Sequence, residues 1–252
     1  MTRALIETIA AAGSAKADFA QTSPTRYLSR AALAGGFIFV GTLLSALSAA
    51  WFYADHLSVS KLLGAVSFSA ALILIVLLGG ELFTGTNLVM GVSLFEGKVS
   101  PLAAIRVWAL AYLGNFIGIF VLALLFVGSG ACREMLGAYL ALTVPAKLAQ
   151  PWYLLLLRGV LCNFLVCLGV FSGFKLQSEG GKALVITIVI STFILAGFEH
   201  SIANMATFSL YALLVSPGSL GSMGLNLLWV TLGNLLGGAV LLGLPLWYAA
   251  EK

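Results

Sequence analysis

Two acidic side chains lie in stretches of the chain that otherwise avoid charge. Glu81 is the only charged residue between Leu62 and Phe95, and Glu199 the only one between Ala183 and Val215. A carboxylate at the centre of a bilayer costs about 2.5–3.5 kcal/mol on insertion scales. Residues of this kind mark ion or proton paths, or clamp the ends of broken helices. His200 follows Glu199 directly and is one of only two histidines. Histidine is the side chain whose unperturbed charge change falls between pH 5 and 8. Each glutamate is preceded by glycine and followed by polar residues. Thr84, Gly85, Thr86 and Asn87 follow the first; His200, Ser201 and Asn204 follow the second. Glycine and polar groups at mid-membrane depth predict interrupted helices, because irregular backbone survives there only where protein buries it or it lines a cavity. Two roles stay open for the glutamates: clamps binding freed backbone N–H groups, or members of a pathway.

The elements that must hold these residues follow from composition. The chain has 252 residues, 61% of them hydrophobic and 9% charged, with a mean hydropathy of +1.07. A soluble domain carries about 25% charged residues. So little polar surface predicts an all-α, multi-pass protein embedded in a lipid bilayer. No length remains for a separate soluble catalytic domain. Charge-free runs predict six spans: 31–54, 62–95 with Glu81 inside it, 107–132, 152–174, about 183–215 with Glu199 and His200, and about 224–249. Residues 1–29 carry Glu7, Lys16, Asp18 and Arg26 and no apolar run, unlike a cleaved signal peptide. Leu5, Ile9, Ala12 and Phe19 form a rough stripe there, which predicts a short helix along the cytoplasmic interface. The six-helix domain would occupy 30–252.

Leu113-Gly114-Asn115-Phe116-Ile117-Gly118 recurs 119 positions later as Leu232-Gly233-Asn234-Leu235-Leu236-Gly237. Gly79-Gly80-Glu81 is echoed 118 positions later by Gly197-Phe198-Glu199. The chain therefore reads as two copies of one three-span unit, about 30–132 and 152–250. An odd number of spans reverses the second copy in the membrane, giving an inverted 3+3 repeat with interrupted helices 2 and 5. In such folds the repeat interface carries the pathway. Basic residues predict the orientation. One side would hold Arg3, Lys16, Arg26, Arg30, Lys98, Arg106, Lys175, Lys182 and Lys252; the other Lys61, Arg133, Lys147 and Arg158. The richer side is cytoplasmic by the positive-inside rule, with both termini there and the protein in the cell (cytoplasmic or inner) membrane.

Other chemistries find little support. There is no His-Glu-x-x-His motif, no cluster of metal-ligand spacing, and no Ser/His pair on a tight elbow, so neither an enzyme nor a cofactor or metal is expected. The +4 net charge is read as topology, with no nucleic-acid partner. A neutral-solute channel of the aquaporin type would need paired Asn-Pro-Ala motifs, and no Asn-Pro pair occurs. Cys162 and Cys167, five residues apart on different helix faces, read as small core residues.

Four segments carry a more specific resemblance: Gly80-Glu81-Leu82-Phe83-Thr84-Gly85, Gly197-Phe198-Glu199-His200-Ser201-Ile202-Ala203-Asn204-Met205, Cys162-Asn163-Phe164-Leu165-Val166-Cys167, and Thr231-Leu232-Gly233-Asn234. With their spacing they resemble the formate–nitrite transporter family across nearly the whole chain. Leu-Phe-Thr-Gly and Asn226-Leu227-Leu228-Trp229-Val230-Thr231 look closest to its nitrite and hydrosulfide branches. The resemblance implies an aquaporin-like fold in a homopentamer, with one path per protomer for formate, nitrite or hydrosulfide. It implies that Leu82, Phe83 and Thr84 belong to the loop breaking helix 2, beside Glu81 and Gly85. Thr84 and His200 would face each other at the centre. Phe68, Leu72, Leu82, Phe83 and Phe193 would form apolar constrictions. Lys147 would attract anions at an outer vestibule beside Glu199, and Asn163 and Asn234 would supply polar contacts or interhelical bonds near the centre. A passive channel and a proton-coupled symporter of the same anions both fit these parts.

Overall fold

The computed structural model describes residues 2–216 and 220–250, and among them every regular element is helical. In chain order these are α1 (Arg3–Thr22), α2 (Pro24–Ala50), α3 (Leu57–Leu78), α4 (Phe83–Phe95), α5 (Pro101–Gly128) and α6 (Arg133–Leu148). Then come α7 (Trp152–Lys175), α8 (Glu179–Leu195), α9 (Ser201–Leu214) and α10 (Leu220–Leu235). The last helix widens into a π-helical stretch, Leu236–Gly243, and ends as α11 (Leu244–Tyr248).

Local chemistry sets several boundaries. Pro24 and Pro101 sit in the first turns of α2 and α5, where a missing N–H costs nothing. Ser100 caps α5 by accepting the Ala103 N–H, and Ser178 caps α8 by accepting that of Gly181. α3 stops at Gly79 (φ +83°) and α8 just before Gly197 (φ +70°), left-handed conformations that glycine adopts without a Cβ clash.

Five helices are long and apolar enough to cross a membrane: α2, α3, α5, α7, and the continuous stretch from α10 to α11. Two expected spans look different. α3 reaches full length alone, so the break carrying Glu81 follows a complete helix instead of bisecting one. The stretch from 183 to 215 is divided into α8 and α9, of 17 and 14 residues, each short for a crossing. The outer faces are apolar, with Leu62, Leu125, Leu157 and Leu228 exposed, as a lipid-facing surface requires.

The N-terminal segment also departs from expectation. α2 begins at Pro24, inside the stretch expected to precede the domain. Ile6 and Ile9 of α1 are wholly buried, and the helix packs on α4 and α5. The approach to α4 is close because Gly13 has no side chain; a Cβ there would fall 1.8 Å from Ser93 Oγ. Ser93 in turn donates to Ala10 O at 3.2 Å.

The motif Leu-Gly-Asn-x-x-Gly forms matching seams. Gly114 and Gly118 bring α5 against Ala31 and Ala32 of α2, while Gly233 and Gly237 bring the last helix against Leu156 and Val160 of α7. Small residues at such seams let backbones approach closely. The two asparagines of the motif thereby point at the two breaks.

Candidate transport pathway

Each break frees backbone groups, and one buried asparagine collects them. Asn115 Oδ1 accepts the Phe83 N–H at 2.9 Å, while its Nδ2 donates to Ala31 O and Glu81 O at 2.8 and 3.0 Å. Asn234 Oδ1 accepts the Ser201 N–H at 2.8 Å, while its Nδ2 donates to Gly159 O and Glu199 O at 2.8 and 2.9 Å. Both side chains are fully buried. The first N–H of each helix that follows a break is therefore satisfied. The Glu81 and Glu199 N–H groups go to Arg30 O and Arg158 O.

These bonds bear on the two roles left open for the glutamates. The asparagines hold the backbone, and the carboxylates hold lysines. Lys16 Nζ donates to Glu81 Oε2 at 2.5 Å, and Tyr27 OH donates to the same oxygen at 3.0 Å. Lys147 Nζ donates to Glu199 Oε2 at 2.6 Å and to Asn204 Oδ1 at 3.1 Å. Asn204 Nδ2 adds bonds to Glu199 Oε2 (2.7 Å) and Asn226 Oδ1 (2.8 Å). Lys147 is thus an ion-paired cation with a neutralised near field. Lys16, expected on an interfacial helix, is its counterpart at the other break. Asn115 stands out in the sequence only as part of a repeat.

The breaks meet at the middle. Thr84 Oγ1 lies 3.0 Å from His200 Nε2, and both residues are buried. His200 Nδ1 accepts the Ala203 N–H at 3.0 Å, capping α9. In the neutral ring the proton therefore belongs on Nε2, donated to Thr84, which leaves the Thr84 hydroxyl hydrogen to point elsewhere. Behind Thr84, its carbonyl accepts Asn163 Nδ2 at 3.2 Å and Cys167 Sγ at 3.4 Å. Asn163 Nδ2 also donates to Asn234 O at 2.6 Å, joining the centre to the second break.

Two cavities approach this contact. One, of about 650 Å³ at the α1 end, is lined by Lys16, Arg30, Leu72, Glu81, Leu82 and Gly85, among others. The other, of about 190 Å³ at the α6 end, is lined by Phe68, Tyr139, Lys147, Phe193, His200 and Asn204, among others. Phe68 and Leu72 are one turn apart on α3, so on this wall the two cavities are separated by about 6 Å of helix. Phe193 stacks on the His200 ring at 6.0 Å and meets Phe68 edge-on at 5.8 Å. Leu72 and Leu82 thus face the α1-end cavity, and Phe68 and Phe193 the α6-end cavity. Phe83 does not join them: its ring packs edge-on against Tyr112 at 5.0 Å and lines neither cavity. The turn that hands its N–H to Asn115 points the side chain at α5. Gly85 gives the α1-end cavity room, since a Cβ there would press on Val170 at 3.3 Å.

Known proteins share this fold. The sequence profile of the family described as Formate/nitrite transporter matches residues 3–248. The nitrite transporter NirC of Escherichia coli (strain K12) is 35% identical over 246 residues, covering 94% of this chain and 88% of that protein. The formate channel FocA of Haemophilus influenzae is 32% identical, covering 84% and 81%. Among solved structures, an FNT family ion channel superimposes with a TM-score of 0.90 at 32% identity over 98% of this chain and 99% of that one. A pentameric formate channel with formate bound gives 0.77 at 28% identity, over 91% and 98%. The matches span both breaks and the Thr84–His200 contact between them, and the chain belongs to the formate/nitrite transporter family.

Proposed function

We propose that this protein passes small monovalent anions of weak acids, formate and nitrite first and hydrosulfide as a third, through a path centred on Thr84 and His200. The carrying observation is the 3.0 Å contact between those two side chains where both helix breaks meet, between two cavities that are each lined by the lysine of a lysine–glutamate pair. Relatives named as a nitrite transporter and a formate channel support the choice of anions. A pentameric relative supports a homopentamer with one path per protomer. The repeated motifs, matched seams and matched asparagine networks support six crossing segments in an inverted 3+3, aquaporin-like arrangement. Both termini then lie on the cytoplasmic side of the cell membrane, where nine of the thirteen Lys and Arg residues fall.

Energetics decide how the anion passes the septum. The idealised cost of moving a carboxylate-sized ion into a medium like the Phe68–Leu72 wall is on the order of 20 kcal/mol, and several kcal/mol remain after relaxation and water penetration. One hydrogen bond to a charged group returns only about 1.5–3 kcal/mol. An acid with a pKa near 4 costs about 4 kcal/mol to hold protonated at pH 7. Crossing as the neutral acid, which takes its proton from water in one vestibule and returns it to water in the other, competes well, with the Thr84 hydroxyl as donor to the anion before and after. His200 acts in this step as a neutral ring donating its Nε2–H to Thr84, because a second proton on Nδ1 would face the Ala203 N–H and break the α9 cap.

Purified protein in liposomes, supplied with formate, nitrite or hydrosulfide at about pH 5.5 and about pH 7.5, about one unit on either side of an unperturbed histidine pKa, tests the reading. Flux of these anions well above empty liposomes, without flux of larger anions, is expected. Wild-type protein that passes none of them would remove the reading. A fusion reporter after Lys252 that is active only outside the cytoplasm would overturn the proposed topology.

A further inference from the structure

The α1-end cavity holds a second cation that the lysine–glutamate pair does not account for. Arg30 lines it together with Lys16 and Glu81. Lys16 is matched by Glu81 at 2.5 Å, whereas no carboxylate among the described residues lies within 4.0 Å of Arg30. Its guanidinium carbon sits 4.6 Å from the centre of the Phe19 ring, a cation–π contact that orients the planar group without cancelling its charge. Phe19 is itself braced by Tyr27 at 5.8 Å, and the Arg30 carbonyl accepts the Glu81 N–H. The α6-end cavity has no equivalent: Lys147 is its one charged lining residue, already paired with Glu199, and Arg158, the matching backbone acceptor at that break, does not line it.

We infer that Arg30 is an anion-capture site of the α1-end vestibule, built for planar monoanions that present two oxygens. The inference rests on the anion-pathway reading above and adds a specificity to it. A guanidinium offers two parallel N–H donors that fit two oxygens of one anion side by side. Formate and nitrite have that shape, and hydrosulfide, with one sulfur, gains only the charge. The vestibule is positive because of Arg30, since Lys16 and Glu81 sum to zero. A ring-stacked guanidinium is also held ready for a ligand, so little side-chain freedom is lost on binding.

The test is flux into or out of proteoliposomes at substrate well below saturation, in low salt. Arg30→Gln should lower formate and nitrite flux about fivefold, an effect that shrinks in 0.5 M salt as the charge is screened. Arg30→Lys should restore hydrosulfide flux fully and formate and nitrite only in part. Arg30→Cys, in a Cys132→Ala background because Cys132 is exposed, should regain flux when a membrane-impermeant cationic thiol reagent reaches the α1 end, and not with a neutral reagent. Arg30→Gln flux equal to wild type in low salt, or equal recovery with both reagents, overturns the inference. If wild type conducts none of the three anions, the pathway reading falls, and this inference with it.

Discussion

Replacing Asn234 by leucine tests the idea that a single side chain holds each helix break together. Leucine keeps the branching at Cγ but is larger, so some overpacking joins the loss of three buried hydrogen bonds: one from Ser201 N–H and two to Gly159 O and Glu199 O. Gly159 O, inside α7, keeps its helical bond, while the Ser201 N–H and the Glu199 carbonyl at the break lose this partner, and each orphaned buried group costs about 1–3 kcal/mol. Local backbone shifts recover part of this, leaving a penalty of about 3–5 kcal/mol. For a chain of this size that is roughly a 10 °C fall in melting temperature. Asn115→Leu removes the equivalent three bonds at the other break and should fall by a similar amount. Asn226, whose Oδ1 accepts one bond from Asn204, provides the scale. Asn226→Leu should lose about a third as much. The assay is thermal unfolding of the purified protein in detergent, read as loss of the oligomer peak after heating, with flux measured on what survives. An Asn234→Leu protein that melts within about 2 °C of wild type would refute the reasoning. So would an Asn226→Leu protein that melts as low as Asn234→Leu.

Lys147→Ala should lower both stability and flux, because it leaves the Glu199 carboxylate, 4% exposed, without its cation. Adding Glu199→Gln should recover stability but not flux; recovery of neither would show that the pair is not the reason. Gly35→Ala should impair assembly, since its Cβ would fall 2.1 Å from Asn115 O across the α2–α5 seam. Gly128→Ala, with open space around it, is the control expected to behave as wild type. Comparable yields of folded oligomer from both would count against the seam.

Both helix breaks are legible in the amino-acid sequence, because glycine, glutamate and a polar run seldom share an apolar segment unless the helix is interrupted there. The Thr84–His200 contact follows from the family resemblance, and the geometry places the two side chains within hydrogen-bond distance. The repeat of Leu-Gly-Asn marks Asn115 and Asn234 but not their task, which depends on which backbone groups the breaks leave free. The place of Lys16 is hidden for a physical reason. An amphipathic helix stripe is the same whether lipid or protein covers it, and only the fit of Gly13 over Ser93 decides for protein. The direction of Phe83 is equally hidden, since it follows from the turn that offers its N–H to Asn115. By sequence Arg30 is one more positive-inside residue; its lack of a carboxylate partner is a property of three dimensions.

The central claim is that the anion path runs through Thr84 and His200, and His200→Asn tests it most directly. Asparagine can still cap α9 by accepting the Ala203 N–H. It cannot place a ring N–H on Thr84. Formate and nitrite flux should be measured in proteoliposomes between pH 5 and 8, on His200→Asn protein shown to assemble like wild type. Flux is expected to persist at an altered rate, because the Thr84 hydroxyl loses the ring N–H that orients it. An assembled His200→Asn protein whose formate and nitrite fluxes keep the wild-type rate across that range would contradict the claim.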